Sequence, residues 1–546
     1  MPRSSNPIRR GGAVLIVVAA VAAAAYGATG VAATPAEQTT SNAQAGGTLT
    51  LVLSAGWDVL DPATTAFTFA RQIMQFIYDP LLRRDPKTGN IVPGLAQSYS
   101  VSKDQKTVTL RLRRGVTFHD GTPLNARAVI FSFNRILSPK TRSPWAASIT
   151  GPVFRFRSVG SHTVIIRLKA PFAPFLDSLT QVALAPVSPA GVARWGTAFG
   201  AHPVGTGPFV FESSVPNDNV VLVRNPKYRW APAFYSHQGP AYLSRVVIRN
   251  VPESGTRMAL ISRSEIDVVY NPEASQIPTY ARDSKYKIVV GVQSGMPRSI
   301  VLNTSKFPFD DRRVRQAVAY AVDKPAILKA AYNSIGTVGR NILSPAVFGY
   351  AGSVARAAPS YNPARASQIL AAAGWRAGSG GILTKDGRRL EFDYGSITGG
   401  SNFTIQDQII QSNLKAIGME MNIQREEQAA YLADLRAGKW SMAGMLFVAT
   451  DPDVLYTVLH SSSIGPAWNT SFFRNATVDR LLVQGRNTTN DAERQKIYLR
   501  VQAIVATEFP YIPYYNIANP FIVTARTQAF KTDRQGFWDI YDTWIR

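Results

Sequence analysis

From Asp310 onward the apolar residues switch between two spacings, and no other feature narrows the possible folds of this chain so far. DDRRVRQAVAYAVDKPAILKAAY (310–332) repeats them at the helical period and opens on acidic side chains, which suit the positive end of a helix. Helices are also expected over 365–373 and 404–417, and strands over 390–394 and 419–424. Alternating helices and strands bury their apolar faces by layering helices on a sheet, so this half is expected to be an α/β lobe. The first half alternates at the strand period over 48–54, 97–113, 163–168 and 220–223, with helices expected at 64–78 and 125–137. A chain of 546 residues that is 45% hydrophobic has material for more than one core.

The 59 Lys and Arg outnumber the 35 Asp and Glu, a formal charge of +24. A nucleic-acid partner is nevertheless not expected, because the densest basic groups, Arg111-Leu112-Arg113-Arg114 and Asp311-Arg312-Arg313-Val314-Arg315, are short and interrupted. A positive surface suits anionic lipid or anionic ligands better. Cysteine is absent, which removes disulfides, thiolate metal sites, a cysteine nucleophile and a lipid-bearing cysteine. Arg3, Arg9 and Arg10 precede an uncharged run over 11–33, the basic and apolar regions of an export signal. Val31-Ala32-Ala33 suits cleavage before Thr34; uncut, 11–33 would just span a bilayer. Arg9-Arg10 is a twin-arginine pair, although Gly-Gly rather than bulky residues follow it. Residues 34–47 are small and polar and read as a disordered spacer.

Few residues invite a chemical reading. His119-Asp120-Gly121-Thr122-Pro123 follows a strand and precedes a helix with Val129, Phe133 and Ile136 inward, so it reads as a tight turn rather than an acid–base pair. No other histidine (His162, His202, His237, His460) stands at metal-ligand spacing from it, and no metal or cofactor is expected. Gly205-Thr206-Gly207-Pro208 lacks the third glycine and the Lys-Ser/Thr of a phosphate loop. No Gly-x-Ser-x-Gly elbow occurs. Asp451-Pro452-Asp453 suits either a cation or substrate amine, or a helix-starting turn capped by Asp451. Trp57, Phe67, Phe69, Tyr394, Trp440 and Trp468 are aromatic candidates for a pocket wall or a core.

Ordered blocks along the chain resemble the extracytoplasmic solute-binding proteins of the peptide/nickel ABC-transporter class. They are Leu60-Asp61-Pro62; Tyr78-Asp79-Pro80-Leu81; Pro93-Gly94-Leu95-Ala96; 112–124 (LRRGVTFHDGTPL) with Ala126, Val129, Phe131-Ser132 and Arg135; Val204–Phe209 (VGTGPF); Asn225-Pro226-Lys227-Tyr228; and Ile266-Asp267-Val268. Asn303, Pro308-Phe309, Asp311, 313–317 (RVRQA), 371–375 (AAAGW) and Tyr511-Ile512-Pro513 continue the series. The resemblance covers roughly 46–540. It implies an α/β, two-lobed periplasmic-binding-protein-like fold with an extra β-rich subdomain in the first lobe. Lobe I would span 48–298 with the insertion at about 90–204, lobe II 299–514, and 515–546 would return to lobe I, with crossings near 295–303 and 511–518.

The resemblance further implies an exported, non-catalytic monomer that captures a peptide or peptide-like solute between its lobes and delivers it to an ABC permease and ATPase. A non-peptide solute (glycan-like, nickel chelate or haem-like) on the same fold, or an exported hydrolase, are the alternatives. Ligand-binding positions are placed at Trp57, Thr65, Phe67, Asn303, Tyr394, Ser396, Asp451, Asp453, Trp468 and Asn469. Two departures bear on the ligand. Where many peptide-binding relatives hold the amino group with an Asp, this chain has Val448, and the 395–402 loop (GSITGGSN), where dipeptide binders carry an Arg for the carboxylate, is uncharged. An unpaired buried charge is costly, so an ammonium would have to fall to Asp451 or Asp453, or be absent from the ligand. Ala128, where the family usually has Asp, is expected to cost a cap or surface pair only.

Overall fold

The computed structural model describes residues 43–546 except Gly400, Pro466 and the Ser401 side chain; the expected export signal and most of the spacer lie outside the described residues. Gly46 N already donates to Tyr242 O at 2.8 Å, so order begins two residues before the first strand. Among the described residues no helix is long and apolar enough to cross a membrane.

Two large sheets organise the chain. The first runs Tyr286–Val292, Ala518–Thr524, Val268–Tyr270, Thr48–Leu53, Arg245–Asn250, Asn219–Arg224, Phe209–Val215. Its strand Thr48–Leu53 is parallel to both neighbours. Alternation sends Leu49, Leu51 and Leu53 into the main core and Val52 into a smaller one with Ile261, Ile266 and Ile522, so both faces are covered. A four-stranded antiparallel sheet over 96–168 joins the main core through Val108, Leu110, Val164 and Ile166.

The second sheet runs Thr337–Val338, Tyr511–Asn516, Gly295–Leu302, Met442–Val448, Glu391–Ile397, Glu420–Glu426. Glu391–Ile397 and Met442–Val448 are parallel neighbours whose following helices go to opposite faces. Ser401–Lys415 puts Ile410 and Leu414 in one core, and Val454–Leu459 puts Leu455 and Val458 in the other. That divergence opens a crevice at the carboxyl ends of the two strands, the usual place for a ligand in such sheets. The chain passes from the first sheet to the second at Gln293-Ser294, just ahead of the expected 295–303, and returns at Ile517.

Local chemistry corrects two expected helices. The 310–332 stretch is two, Arg312–Ala321 and Lys324–Tyr332, because Asp323 accepts from Ala326 N at 3.0 Å and Pro325 starts the second. The helix expected from 64 begins at Thr68: the Thr65 hydroxyl accepts from Phe67 N at 3.0 Å and donates to Asp58 at 2.6 Å, holding a loop instead.

The blocks that carry the resemblance converge in space. Asp79 receives Thr206 Oγ1 (3.2 Å), Tyr228 Oη (3.1 Å), Trp230 Nε1 (3.0 Å) and Arg83 (2.6 Å). Gly207 O accepts from Asn225 Nδ2 and from His119 Nε2, each at 3.0 Å. A Cβ on Gly205 would lie 2.1 Å from Ile77 O, and one on Gly207 2.4 Å from Phe76 O, so the two glycines let this strap lie against the end of helix Thr68–Ile77. Asp61 is held by both terminal nitrogens of Arg135, at 2.7 and 2.5 Å. These residues build a framework; His119-Asp120 belongs to it, with Asp120 accepting from Thr122 N in the turn.

Candidate functional site

The two lobes meet over a short set of contacts. Thr450 Oγ1, just past strand Met442–Val448, lies 2.8 Å from both carboxylate oxygens of Asp177 in the first lobe. Ala173 N donates to Arg486 O at 2.8 Å, and the Arg486 guanidinium lies 5.2 Å over the Phe172 ring. Trp145 stacks on Phe447 with centroids 6.5 Å apart, and Phe447 meets Trp468 edge-on at 5.5 Å. Burial raises the Asp177 carboxyl above its ordinary range while the adjoining Arg84 guanidinium opposes that shift. Beside this junction a cavity of about 90 Å³ lies in the first lobe, lined by Arg71, Arg84, Gln181, Asp533, Arg534 and Asp539 among others, and Thr450 reaches it from the second lobe.

The expected ligand-binding residues fall into four groups, of which Asp451 and Asp453 form the last. Trp468 and Phe67 are only partly buried, and Trp468, under Arg436 at 4.9 Å, is part of the aromatic seam. Tyr394 and Ser396 lie near the crevice but are occupied: Tyr394 Oη donates to Asp407 Oδ1 (2.9 Å) and Ser396 Oγ to Asp407 Oδ2 (2.6 Å), with Arg425 closing the cluster at 3.1 Å. Trp57, Thr65, Asn303 and Asn469 are engaged within their own segments. Trp57 is buried in the first core, and Thr65 staples its loop. Asn303 stands at the end of Gly295–Leu302 far from the crossing, where its Oδ1 accepts from Ser305. Asn469 Nδ2 donates to the carbonyls of Leu459, His460 and Phe473. The reason is common to Thr65, Asn303 and Asn469: short polar side chains in irregular segments satisfy the local backbone first.

Asp451 and Asp453 are each claimed by an arginine. Arg494 reaches Asp451 at 2.8 and 2.5 Å, and Arg486 reaches Asp453 at 3.0 and 2.7 Å. Asp451 also accepts from Asp453 N at 2.8 Å, while Asp453 makes no side-chain cap to the helix it precedes. The site therefore offers no free carboxylate at Asp-Pro-Asp for a ligand ammonium, and Val448, 6% exposed opposite Gly295, offers none either.

Among the described residues several buried cations have no carboxylate partner, Arg257 and Lys324 among them, and two lie close to aromatic rings. Arg71 is 7% exposed on helix Thr68–Ile77; its Nε has no acceptor, its Nη2 has one 3.5 Å contact to Thr68 Oγ1, and it lies 5.5 Å from the Trp145 ring centre. Burial without a carboxylate partner pushes its pKa down to about 10. Arg298 is 8% exposed in the hinge strand Gly295–Leu302; its Nε donates to Tyr514 Oη at 3.0 Å and its guanidinium stacks 4.3 Å from the Phe403 ring. Among the described residues neither forms an ion pair within 4 Å. Both were absent from the candidates read from sequence, although each carries a signal: a charge on the buried side of an amphipathic helix, and a charge inside GMPRSIVL, a strand in which every residue is buried.

Comparison with known proteins bears directly on this two-lobed arrangement. The family of bacterial extracellular solute-binding proteins, family 5 Middle, matches residues 90–466. The chain belongs to that family. Among curated relatives, this family 5 protein is 28% identical to the glutathione-binding protein GsiB of Escherichia coli K12 over 90% of its own length and 92% of the relative's. Among solved structures, it matches the ABC transporter-associated periplasmic binding protein DppA of Helicobacter pylori, in complex with the peptide STSA, with a TM-score of 0.80 at 24% identity, covering 92% and 98% of the two chains. It matches the oligopeptide-binding protein AppA of Bacillus subtilis, in complex with a nonapeptide, with a TM-score of 0.81 at 23% identity, covering 92% and 100%. The fold is thus that of the periplasmic binding proteins, as the resemblance implied, and the segment that the family matches includes Thr206, Tyr228 and Trp230 of the framework and the switch-point strands.

Proposed function

We propose that this family 5 protein is the extracytoplasmic receptor of an ABC importer, closing its lobes on a peptide or peptide-like solute and presenting it to a membrane permease. The observation that carries the reading is the junction itself. Two lobes with separate sheets are tied by two short crossings and otherwise meet through a few polar bridges and the Trp145–Phe447 stack, an arrangement suited to hinge closure over a ligand. The relatives support the solute class, since GsiB is named for glutathione and the DppA and AppA structures hold peptides. His119 lies in the framework and both carboxylates of Asp-Pro-Asp are paired, which leaves the hydrolase alternative without its proposed groups. Mass spectrometry of solute released from natively purified protein, followed by calorimetric titration and uptake into vesicles bearing the cognate permease, tests the reading. Solute turnover by the purified protein, or binding with no permease-dependent uptake, would refute it.

A further inference from the structure

One of the two densest basic groups in the sequence, 111–114 (RLRR), ends a strand of the four-stranded sheet, whose order is Ala96–Val101, Thr107–Leu112, Thr163–Leu168, Val153–Val159. Alternation sends Leu110, Leu112, Ile166 and Leu168 into the core and leaves Arg111 and Arg167 on the outer face. The edge strand Val153–Val159 adds Arg155 opposite Arg167 and Arg157 opposite Ile165. All four arginines are exposed, and among the described residues none of them forms an ion pair within 4 Å. Across residues 96–169 there are 13 Lys and Arg against two acids, Asp104 and Asp120, a far larger excess than the chain's 59 against 35. Both carboxylates are used in their own turns: Asp104 accepts from Lys106 N, with only a minor pull from Arg167, and Asp120 accepts from Thr122 N. Like charges directly opposite on a sheet repel, so the Arg155–Arg167 pair costs stability until an anion lies over both.

We propose that this outer sheet face docks the protein on an anionic phospholipid surface. Neighbouring strands are about 4.8 Å apart, so the four guanidinium groups are spread over a broad face instead of converging on one point. That layout matches a layer of headgroup phosphates, which arginine forks bind well, and not a single small anion, which needs convergent donors. The same edge strand exposes Phe154 (55%) and Val159 (47%), apolar side chains that enter the headgroup boundary and for which a nucleic acid or a soluble polyanion offers no apolar layer. The inference rests on this face alone and goes beyond the receptor reading, to which it adds a means of keeping the protein beside the membrane.

Cosedimentation of the full chain with vesicles of phosphatidylcholine alone, or of equimolar phosphatidylcholine and phosphatidylglycerol, tests this. The face variant carries Arg111→Gln, Arg155→Gln, Arg157→Gln and Arg167→Gln together. A control variant loses the same charge from four exposed arginines elsewhere, through Arg282→Gln, Arg356→Gln, Arg480→Gln and Arg500→Gln. The unaltered protein is expected to prefer the anionic vesicles by about tenfold or more at low salt, and to lose that preference as salt rises. The face variant should lose most of the preference and the control variant should keep it. Melting curves check that both variants fold, and the comparison of vesicle types uses the unaltered protein alone. Segment 11–33 is uncharged and common to all three proteins, so it adds to both vesicle types alike. No preference for anionic vesicles, or an equal loss in the face and control variants, would overturn the proposal. So would a face variant that loses binding to soluble polyglutamate but keeps its vesicle binding, which would assign the face to an acidic protein partner.

Discussion

Burial pushes the His119 imidazole down to about 4, so at neutral pH it is uncharged, with Nε2 donating to Gly207 O. The unfolded chain takes up a proton near 6.5 that the folded chain refuses until about 4. His119 therefore favours folding above that window and loses its contribution as pH falls through it. His119→Ala should lower the melting temperature at pH 7, flatten the acid-side loss of stability, and leave solute affinity within a few-fold. Abolished binding in a folded variant would place His119 in the site after all. Asp533 behaves in the opposite sense. Burial raises its carboxyl to about 7, so the folded chain holds a proton that the unfolded chain releases near 3.8, and stability is lost as pH rises between those values. Its Oδ1 accepts from Gln535 N and Phe537 N, a role an amide oxygen can keep. Asp533→Asn should raise the melting temperature at pH 8, and the gain should vanish near pH 4; an equal gain at both pH values would contradict the cause given.

The hinge strand Gly295–Leu302 is the element on which fold and site depend together. Gly295 adopts a φ of 122°, and a Cβ there would lie 2.0 Å from Phe447 O. Its N–H donates to Ser344 Oγ at 3.2 Å, and it pairs with Val448 at the mouth of the crevice. Alanine would have to displace the strand that carries Phe447 as well as adopt a backbone region it disfavours, a cost of about 1 kcal/mol before the clash is counted. Gly295→Ala should therefore lower the melting temperature by several degrees and weaken solute binding about tenfold or more. Melting curves and titrations decide it, and a variant indistinguishable from wild type would mean that the crossing tolerates a shift.

Closure of the whole molecule relies on few direct bonds, so single contacts matter to it. Thr450 Oγ1 to Asp177 is a hydrogen bond across the junction, next to a carboxylate whose ionisation burial already opposes. Removing it with Thr450→Val should cost about 0.5–1.5 kcal/mol of closed-state stability, hence a loss of solute affinity of up to about tenfold. Each lobe keeps its own core, so thermal unfolding without solute should change little. Small-angle scattering would show a more open average shape for the variant at subsaturating solute. Trp145, stacked on Phe447 of the opposite lobe, should report closure by its fluorescence, and Trp145→Phe should remove that signal.

Secondary structure and lobe character were legible in the sequence because they rest on local rules: the two hydrophobic periods and the turn at His119-Asp120. The Asp79 framework was legible only as a set of blocks, since Thr206, Tyr228 and Trp230 reach it from more than 120 residues away. The candidate site was legible least. Asp451 and Asp453 looked available because their partners, Arg494 and Arg486, stand 43 and 33 residues further along. Asn303 and Asn469 looked like ligand contacts because composition does not say which backbone groups lie beside an amide. That Arg71, Arg257, Arg298 and Lys324 are buried without a carboxylate partner was visible only once packing had placed them. Hydrophobic period is a property of neighbours in the chain, so the sequence by itself determined the elements and the kind of lobe. Whether a charge is paired depends on burial and distance between remote segments, so the tertiary structure alone decided which residues remain free to meet a ligand.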